Sequence, residues 1–170
     1  MEVREVFYNT CMRVYTNEDV LGVELCGAMK NVMALGAGIA VGYGCGDNTK
    51  AALITRGMTE ITRLGIAMGC DTRTFYGLAG IGDLIVTATS VHSRNNRCGM
   101  LLGQGVPTEE AIRQVGMVVE GINALPAAMR LAEMYHVEMP IVEAVNAVVS
   151  GTKTPAEVVY DLMTRHQRHE

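Results

Sequence analysis

The sequence predicts an all-α fold, a multi-helix domain built around one buried central helix. Three observations predict it. A long run from Leu25 to Val41 is apolar on almost every side, as a helix enclosed by its neighbours must be. Elsewhere apolar residues recur at steps of three and four, and almost no stretch alternates as a half-buried strand does. Residues that start and stop helices punctuate the chain at fitting intervals.

A chain of 170 residues suits one domain, or one and a small piece of another. Apolar residues make up 49% and charged residues 19%, which excludes a disordered chain. With no Trp and two Phe, the core must come from Leu, Ile, Val, Ala and the twelve Met. The net charge of −4 and the lack of a Lys/Arg-rich run exclude a nucleic-acid partner. The five Cys are scattered and never spaced C-x-x-C, which fits neither a disulfide framework nor a zinc site and implies a reducing, cytoplasmic setting. Residues 1–20 lack the apolar core of a signal peptide. The apolar run carries Lys30 and Asn31 near its middle, so a soluble core helix is expected and no membrane span.

Residues 1–17 read apart from the rest, as a domain-junction remnant: a short helix, then a strand-like "RVYTN". The helical domain is expected over 18–170. Asn17 or Asp19 can cap a helix from about Val20 to Ala40. The glycines of "GYGCGDN" break it, and Asp47 or Asn48 can cap a second helix to about Met68, with Ala51, Ile54, Met58, Ile61, Leu64 and Met68 on one face. Asp71 opens a short helical piece. "GIGDLIVTATS" is ambiguous between strand and buried helix, and "SRNNRCGMLLGQG" reads as a loop leading into a helix. Thr108 is expected to cap "EEAIRQVG". Residues 120–135 form another helix, Pro140 begins one to Val149, and the capping box Thr154-Pro155-Ala156-Glu157 begins the last, to about Arg165.

Few positions look fit for chemistry. Lys30 lies among apolar neighbours, where a desolvated lysine can serve as a general base, or else its stem reaches to the surface. Asn31 beside it reads better as structural. Asp83, in "GIGDLIVT", needs a partner if buried; Lys30 is a sensible one, and a helix cap is the alternative. In Ser93-Arg94-Asn95-Asn96-Arg97, Arg94 or Arg97 can grip a phosphate beside a helix start, and a solvated loop is the plain alternative. The four His show no metal spacing, and no metal is expected. The set suits a small anionic substrate with an exchangeable proton.

Three long motifs go further. "GVELCGAMKNVMALGAGIAVGYGCGDNTKAALITRG", "GLAGIGDLIVTATSVHSRNNRCGMLLGQG" and "VVEGINA" stand in this order. Together they resemble the C-terminal, substrate-binding domain of NAD(P)-dependent glycerol-3-phosphate dehydrogenases over residues 13–165. The resemblance implies a 6-phosphogluconate dehydrogenase C-terminal-like helical fold. It also implies interconversion of sn-glycerol 3-phosphate and dihydroxyacetone phosphate, as used in phospholipid synthesis. Lys30 would be the base, with Asp83 and Thr87 beside it. Ser93, Arg94 and Asn95 would hold the glycerol phosphate, and Arg94, Val118 and Glu120 would contact the cofactor, NAD or NADP. The family carries an N-terminal Rossmann domain, whose G-x-G-x-x-G turn is absent here. The cofactor would be bound mainly by that domain, and the helical half by itself is expected to be inactive. A homodimer is a further expectation.

Two readings compete. β-hydroxyacid dehydrogenases place the catalytic Lys four residues before an Asn; here Asn31 is adjacent and position 34 is Ala. A non-catalytic helical module for oligomerisation or binding is the alternative from another class.

Overall fold

The computed structural model describes residues 3–7 and 11–165, and among these every regular element is helical. After a single turn α1 (Val3–Val6) come α2 (Val20–Tyr43), α3 (Asp47–Ala67) and the short α4 (Thr72–Phe75). A π-helical turn (Leu78–Gly82) leads into α5 (Asp83–Thr89) and α6 (Arg94–Gly103). Then follow α7 (Thr108–Val115), α8 (Glu120–Met134), α9 (Pro140–Val149) and α10 (Pro155–Thr164). His166 and His169 lie outside the described residues.

The expected central helix is α2, buried without interruption from Asn31 to Ala40 and touched by α3, α5, α6, α8 and α9. It is long and apolar enough to cross a membrane, but 72% of its apolar stretch is covered by the rest of the protein. It runs three residues past Ala40 and stops at Gly44, whose φ of 102° few other residues adopt. Its start is pinned by Asp19. One carboxylate oxygen accepts the Gly22 N–H at 3.0 Å; the other accepts the Asp71 N–H at 2.9 Å and the Thr74 hydroxyl at 2.7 Å. The Thr74 hydroxyl, then the Gly22 N–H, hold this carboxyl below the ordinary carboxylate range.

The closest packing is between α2 and α6, where four glycines face each other. A Cβ on Gly38 would stand 2.2 Å from the Asn96 carbonyl oxygen, and one on Gly42 2.1 Å from that of Met100. From the other side, a Cβ on Gly99 would stand 2.1 Å from the Leu35 oxygen and one on Gly103 2.2 Å from that of Ile39. The two backbones therefore touch, and no side chain fits between them.

Several sequence expectations need correction. "RVYTN" forms no strand; it has no regular secondary structure and is largely exposed, with no neighbouring strand among the described residues to pair with. Gly46, not Asp47 or Asn48, caps α3, and Asp47 instead pairs with Lys50 at 2.9 Å. Ala51 is exposed while Ile54, Met58, Ile61 and Leu64 are buried. The cap of α7 is Pro107, because the Thr108 hydroxyl donates to the Val149 carbonyl at 2.8 Å. The ambiguous "GIGDLIVTATS" is helical throughout its core, and Arg94 already belongs to a helix and not a loop.

Glu60, on the inner face of α3, is 4% exposed and closes the start of α9 from outside. Its carboxylate accepts the Ile141 N–H at 2.9 and 3.1 Å and the Val142 N–H at 3.4 Å. These are donors that a helix start leaves without internal partners. Burial pushes this carboxyl up to about 7, against the pull of the two N–H groups.

Two outcomes follow. Gly99→Ala should separate α2 from α6 and lower stability by about 3 kcal/mol, read by urea unfolding. Because the folded form of Glu60 holds its proton up to about pH 7, and an unfolded one only to about 4.5, its contribution falls as pH rises between those values. The stability difference between Glu60→Gln and the parent should therefore drift by up to about 3 kcal/mol across that window, the parent losing stability towards pH 7. A flat difference in urea midpoints would refute it.

Candidate functional site

The π-helical turn before α5 aims the site's acidic residue. A Cβ on Gly80 would stand 2.1 Å from the Phe75 carbonyl oxygen, so the chain folds tightly over the fully buried Phe75. This turn ends at Asp83, in the first turn of α5. The Asp83 carboxylate receives the Lys30 ammonium from α2 in a direct ion pair. Gly82 is the cap of α5, so Asp83 is a charge partner and no cap. Thr87, one turn later, donates to the Asp83 carbonyl at 2.7 Å, with its hydroxyl 3.3 Å from the carboxylate Oδ1.

Of the two readings of Lys30, the structure gives the partly exposed one. Its side chain is 24% exposed and that of Asp83 40%, because full burial of α2 begins one residue later, at Asn31. The pair thus sits at the edge of the core, with one side open to a ligand.

The second cluster starts α6. Ser93 caps this helix, its hydroxyl accepting the Asn96 N–H at 3.2 Å. A capped start leaves first-turn N–H groups facing outward, and these suit an anion. The Arg94 guanidinium lies 3.7 Å from the Glu120 carboxylate, and the two side chains are 37% and 55% exposed. So open a pair is held weakly, and Arg94 can trade it for a stronger anion. Val118 precedes α8 and is 61% exposed.

Between the clusters lies a closed ring of hydrogen bonds. The Asn31 amide donates to the Glu120 carboxylate at 3.0 Å; Asn95 donates to the Asn31 oxygen at 2.9 Å; the Gly121 N–H donates to the Asn95 oxygen at 2.8 Å. Asn31 also donates to the Gly27 carbonyl at 3.1 Å. Asn95 is 6% exposed and directs its side chain inward, away from any ligand at the helix start. A Cβ on Gly121 would stand 2.5 Å from the Asn31 carbonyl oxygen, so α8 must approach α2 through this glycine.

The structure therefore brings Lys30, Asp83 and Thr87 together, and joins Arg94, Asn95 and Glu120 to them through Asn31. Val118, two residues before Glu120, is exposed on the surface. Asn31, Gly121 and Glu60 were not read as partners from sequence. Glu60 had a signal, since its place one turn before Leu64 puts a carboxylate on the buried face of α3.

Comparison with known proteins shows the family to which the fold belongs. A family model described as the NAD-dependent glycerol-3-phosphate dehydrogenase C-terminus matches residues 19–160. A glycerol-3-phosphate dehydrogenase (NAD(P)+) of Thermoanaerobacter sp. is 55% identical over 168 residues, 99% of this chain and 51% of the relative. One of Lactobacillus delbrueckii subsp. bulgaricus is 61% identical over 169 residues, 99% of this chain and 50% of the relative. The crystal structure of glycerol-3-phosphate dehydrogenase from Coxiella burnetii superposes with a TM-score of 0.91 at 41% identity, covering 95% of this chain and 50% of that one. The chain spans about half the length of the curated relatives it matches.

The Lys30–Asp83 pair should be measurable by a double-mutant cycle. Lys30→Met and Asp83→Asn should each destabilise the fold, and together by less than their sum, with a coupling of about 1 kcal/mol suited to a partly exposed pair. Additive losses in thermal unfolding would show that the two charges do not support each other.

Proposed function

Because the chain belongs to the family of NAD-dependent glycerol-3-phosphate dehydrogenase C-terminal domains, we propose that it supplies the substrate-binding and proton-transferring half of an oxidoreductase. The reaction is the interconversion of sn-glycerol 3-phosphate and dihydroxyacetone phosphate. The observation that carries this reading is the half-open Lys30–Asp83 pair, tied through Asn31 and Asn95 to Arg94 at the start of α6. It offers a proton acceptor and an anion grip on adjoining helices, the two features that a small phosphorylated alcohol needs.

Ser93, the Arg94 guanidinium and the outward N–H groups of α6 hold the phosphate. Asn95 contributes its main-chain N–H, its side chain being committed to Asn31 and Gly121. In the reductive direction the Lys30 ammonium gives a proton to the carbonyl oxygen as hydride reaches the carbonyl carbon; in the oxidative direction its neutral amine takes the proton from the secondary hydroxyl as hydride leaves. Asp83 holds that amine in place and stabilises it once it is protonated, and Thr87 fixes the carboxylate. Arg94, at the start of α6 beside Glu120, would touch both phosphate and cofactor, and holding reactants in register lowers much of a barrier.

A nicotinamide dinucleotide, NAD or NADP, supplies the hydride acceptor when bound. The residues present fit one edge of such a group: Arg94 offers a cation to a phosphate, Val118 an exposed apolar face, and Glu120 an acceptor. The greater length of the relatives supports a second, nucleotide-binding half as the holder of the rest. The proposal extends to a cytoplasmic protein that pairs with a second copy. Exposed Tyr76, Leu78, Ile85, Val86 and Val91 support an apolar contact.

The test joins this chain to the nucleotide-binding half of a relative and follows NAD(P)H oxidation with dihydroxyacetone phosphate. Turnover is expected, falling about 10²–10⁴-fold in Lys30→Ala. Arg94→Ala should raise KM by about 10–100-fold, the loss of a charged hydrogen bond. A folded fusion without turnover would overturn the reading and favour a helical binding module.

A further inference from the structure

The ring of hydrogen bonds joins three helices by groups whose chain neighbours are the site's charges. Asn31 follows Lys30 on α2, Asn95 follows Arg94 on α6, and Glu120 and Gly121 open α8. Its bonds run one way round: the Gly121 N–H to the Asn95 oxygen, the Asn95 amide to the Asn31 oxygen, and the Asn31 amide to the Glu120 carboxylate. The peptide bond between Glu120 and Gly121 closes the loop.

From this geometry we infer that Asn31 and Asn95 are positioning residues. Through the ring they fix Lys30 against Asp83 and Arg94 against Glu120 in one common register. The inference rests on reading Lys30 as the proton acceptor of the proposed reaction.

Three features separate this role from ordinary core packing. Asn31 and Asn95 are 7% and 6% exposed, so each amide would lose a costly bond if the ring opened. The bonds are directional, so they fix the rotation of α2 and α6 as well as their spacing. Apolar contacts tolerate small rotations. Close approach at Gly121 brings the third helix within bonding reach, since a Cβ there would stand 3.1 Å from Asn95 Oδ1 as well as against the Asn31 backbone. Asn95 is bonded to Asn31 and Gly121 and not to Lys30, so any effect it has on Lys30 passes through the ring.

The test reads Lys30 directly in this chain, without turnover. The chain has three lysines, Lys30, Lys50 and Lys153. Carbon-13 labelling of the lysine Cε groups gives three NMR signals, assigned with Lys30→Arg. A lysine held against one carboxylate keeps a signal apart from those of freely turning lysines, and a loosened one moves towards them. In Asn95→Ala the Lys30 signal is expected to cover at least half the distance to its position in Asp83→Asn, where the ion pair is gone. Asn31→Ala should match it, the double variant should go no further, and Lys50 and Lys153 should stay. A Lys30 signal unchanged in a folded Asn95→Ala would overturn the inference and leave the ring a packing feature only.

Should Asn95→Ala not fold, Glu120 decides, because its side chain is 55% exposed and its replacement spares the core. Glu120→Gln keeps an oxygen for Asn31; Glu120→Ala removes it; both remove the charge. A larger move of the Lys30 signal in the Ala variant than in the Gln variant supports the ring, and equal moves refute it. Inorganic phosphate titrated into the same samples tests the functional reading separately. If no binding is lost in Arg94→Ala while Lys30 still responds to Asn95, the phosphate site fails and the ring stands.

Discussion

The contact on which the rest of the structure depends is the one between the backbones of α2 and α6. Gly38 and Gly42 on one helix meet Gly99 and Gly103 on the other, with room for no Cβ at any of them. Van der Waals attraction falls steeply with distance, so two helices that touch along their main chains gain contacts that larger residues would forfeit. The same closeness has a functional result. It brings the start of α6 near enough to α2 for Asn95 to reach Asn31 at 2.9 Å. A single methyl group at this crossing would move the start of α6 away from Asn31 and its neighbour Lys30.

Around that crossing the protein separates its polar groups by depth. Leu35, Ala37 and Val32 of α2 have no exposed surface. At Asn31, beside Val32 in the chain, and at Asn95 on α6, amides stand in place of aliphatics, and each finds partners. Only beyond them, at the edge, do Lys30 and Asp83 carry charge. This order follows from cost: an unpaired charge in the core is expensive, a bonded amide is tolerable, and an ion pair at the rim is nearly free. Glu60 is the exception. It takes a carboxylate into the core because the start of α9 supplies N–H groups that nothing else satisfies, and burial still pushes it up to about 7.

Much of this was legible in the residues. The apolar run forecast α2, the capping box at Thr154 forecast α10, and Asp71 forecast the start of α4, because each rests on bonds made within a few residues. Two expected caps have other partners: Thr108 turns to Val149, forty-one residues away, and Asp47 to Lys50, three residues away. "GIGDLIVTATS" was ambiguous because β-branched residues suit a strand and a buried helix alike, and the choice fell to its contact with α2. The site was half legible. Lys30 and Asp83 stood out as charges among apolar neighbours, and they pair. Asn95 did not disclose that its side chain turns inward, since nothing local distinguishes an amide that meets a ligand from one that meets another helix.

The sequence by itself determined where most of the helices lie, which helix lies at the centre, and which charged residues stand among apolar neighbours. Those are matters of periodicity, capping and solvation, all settled over a few turns of chain. Only the tertiary structure decided that Lys30 is half-open and not enclosed, that Glu60 closes a helix eighty-one residues away, and that Asn31, Asn95 and Gly121 form one ring. These depend on the angle and distance at which helices cross, and glycine contacts set that angle through atoms far apart in the chain.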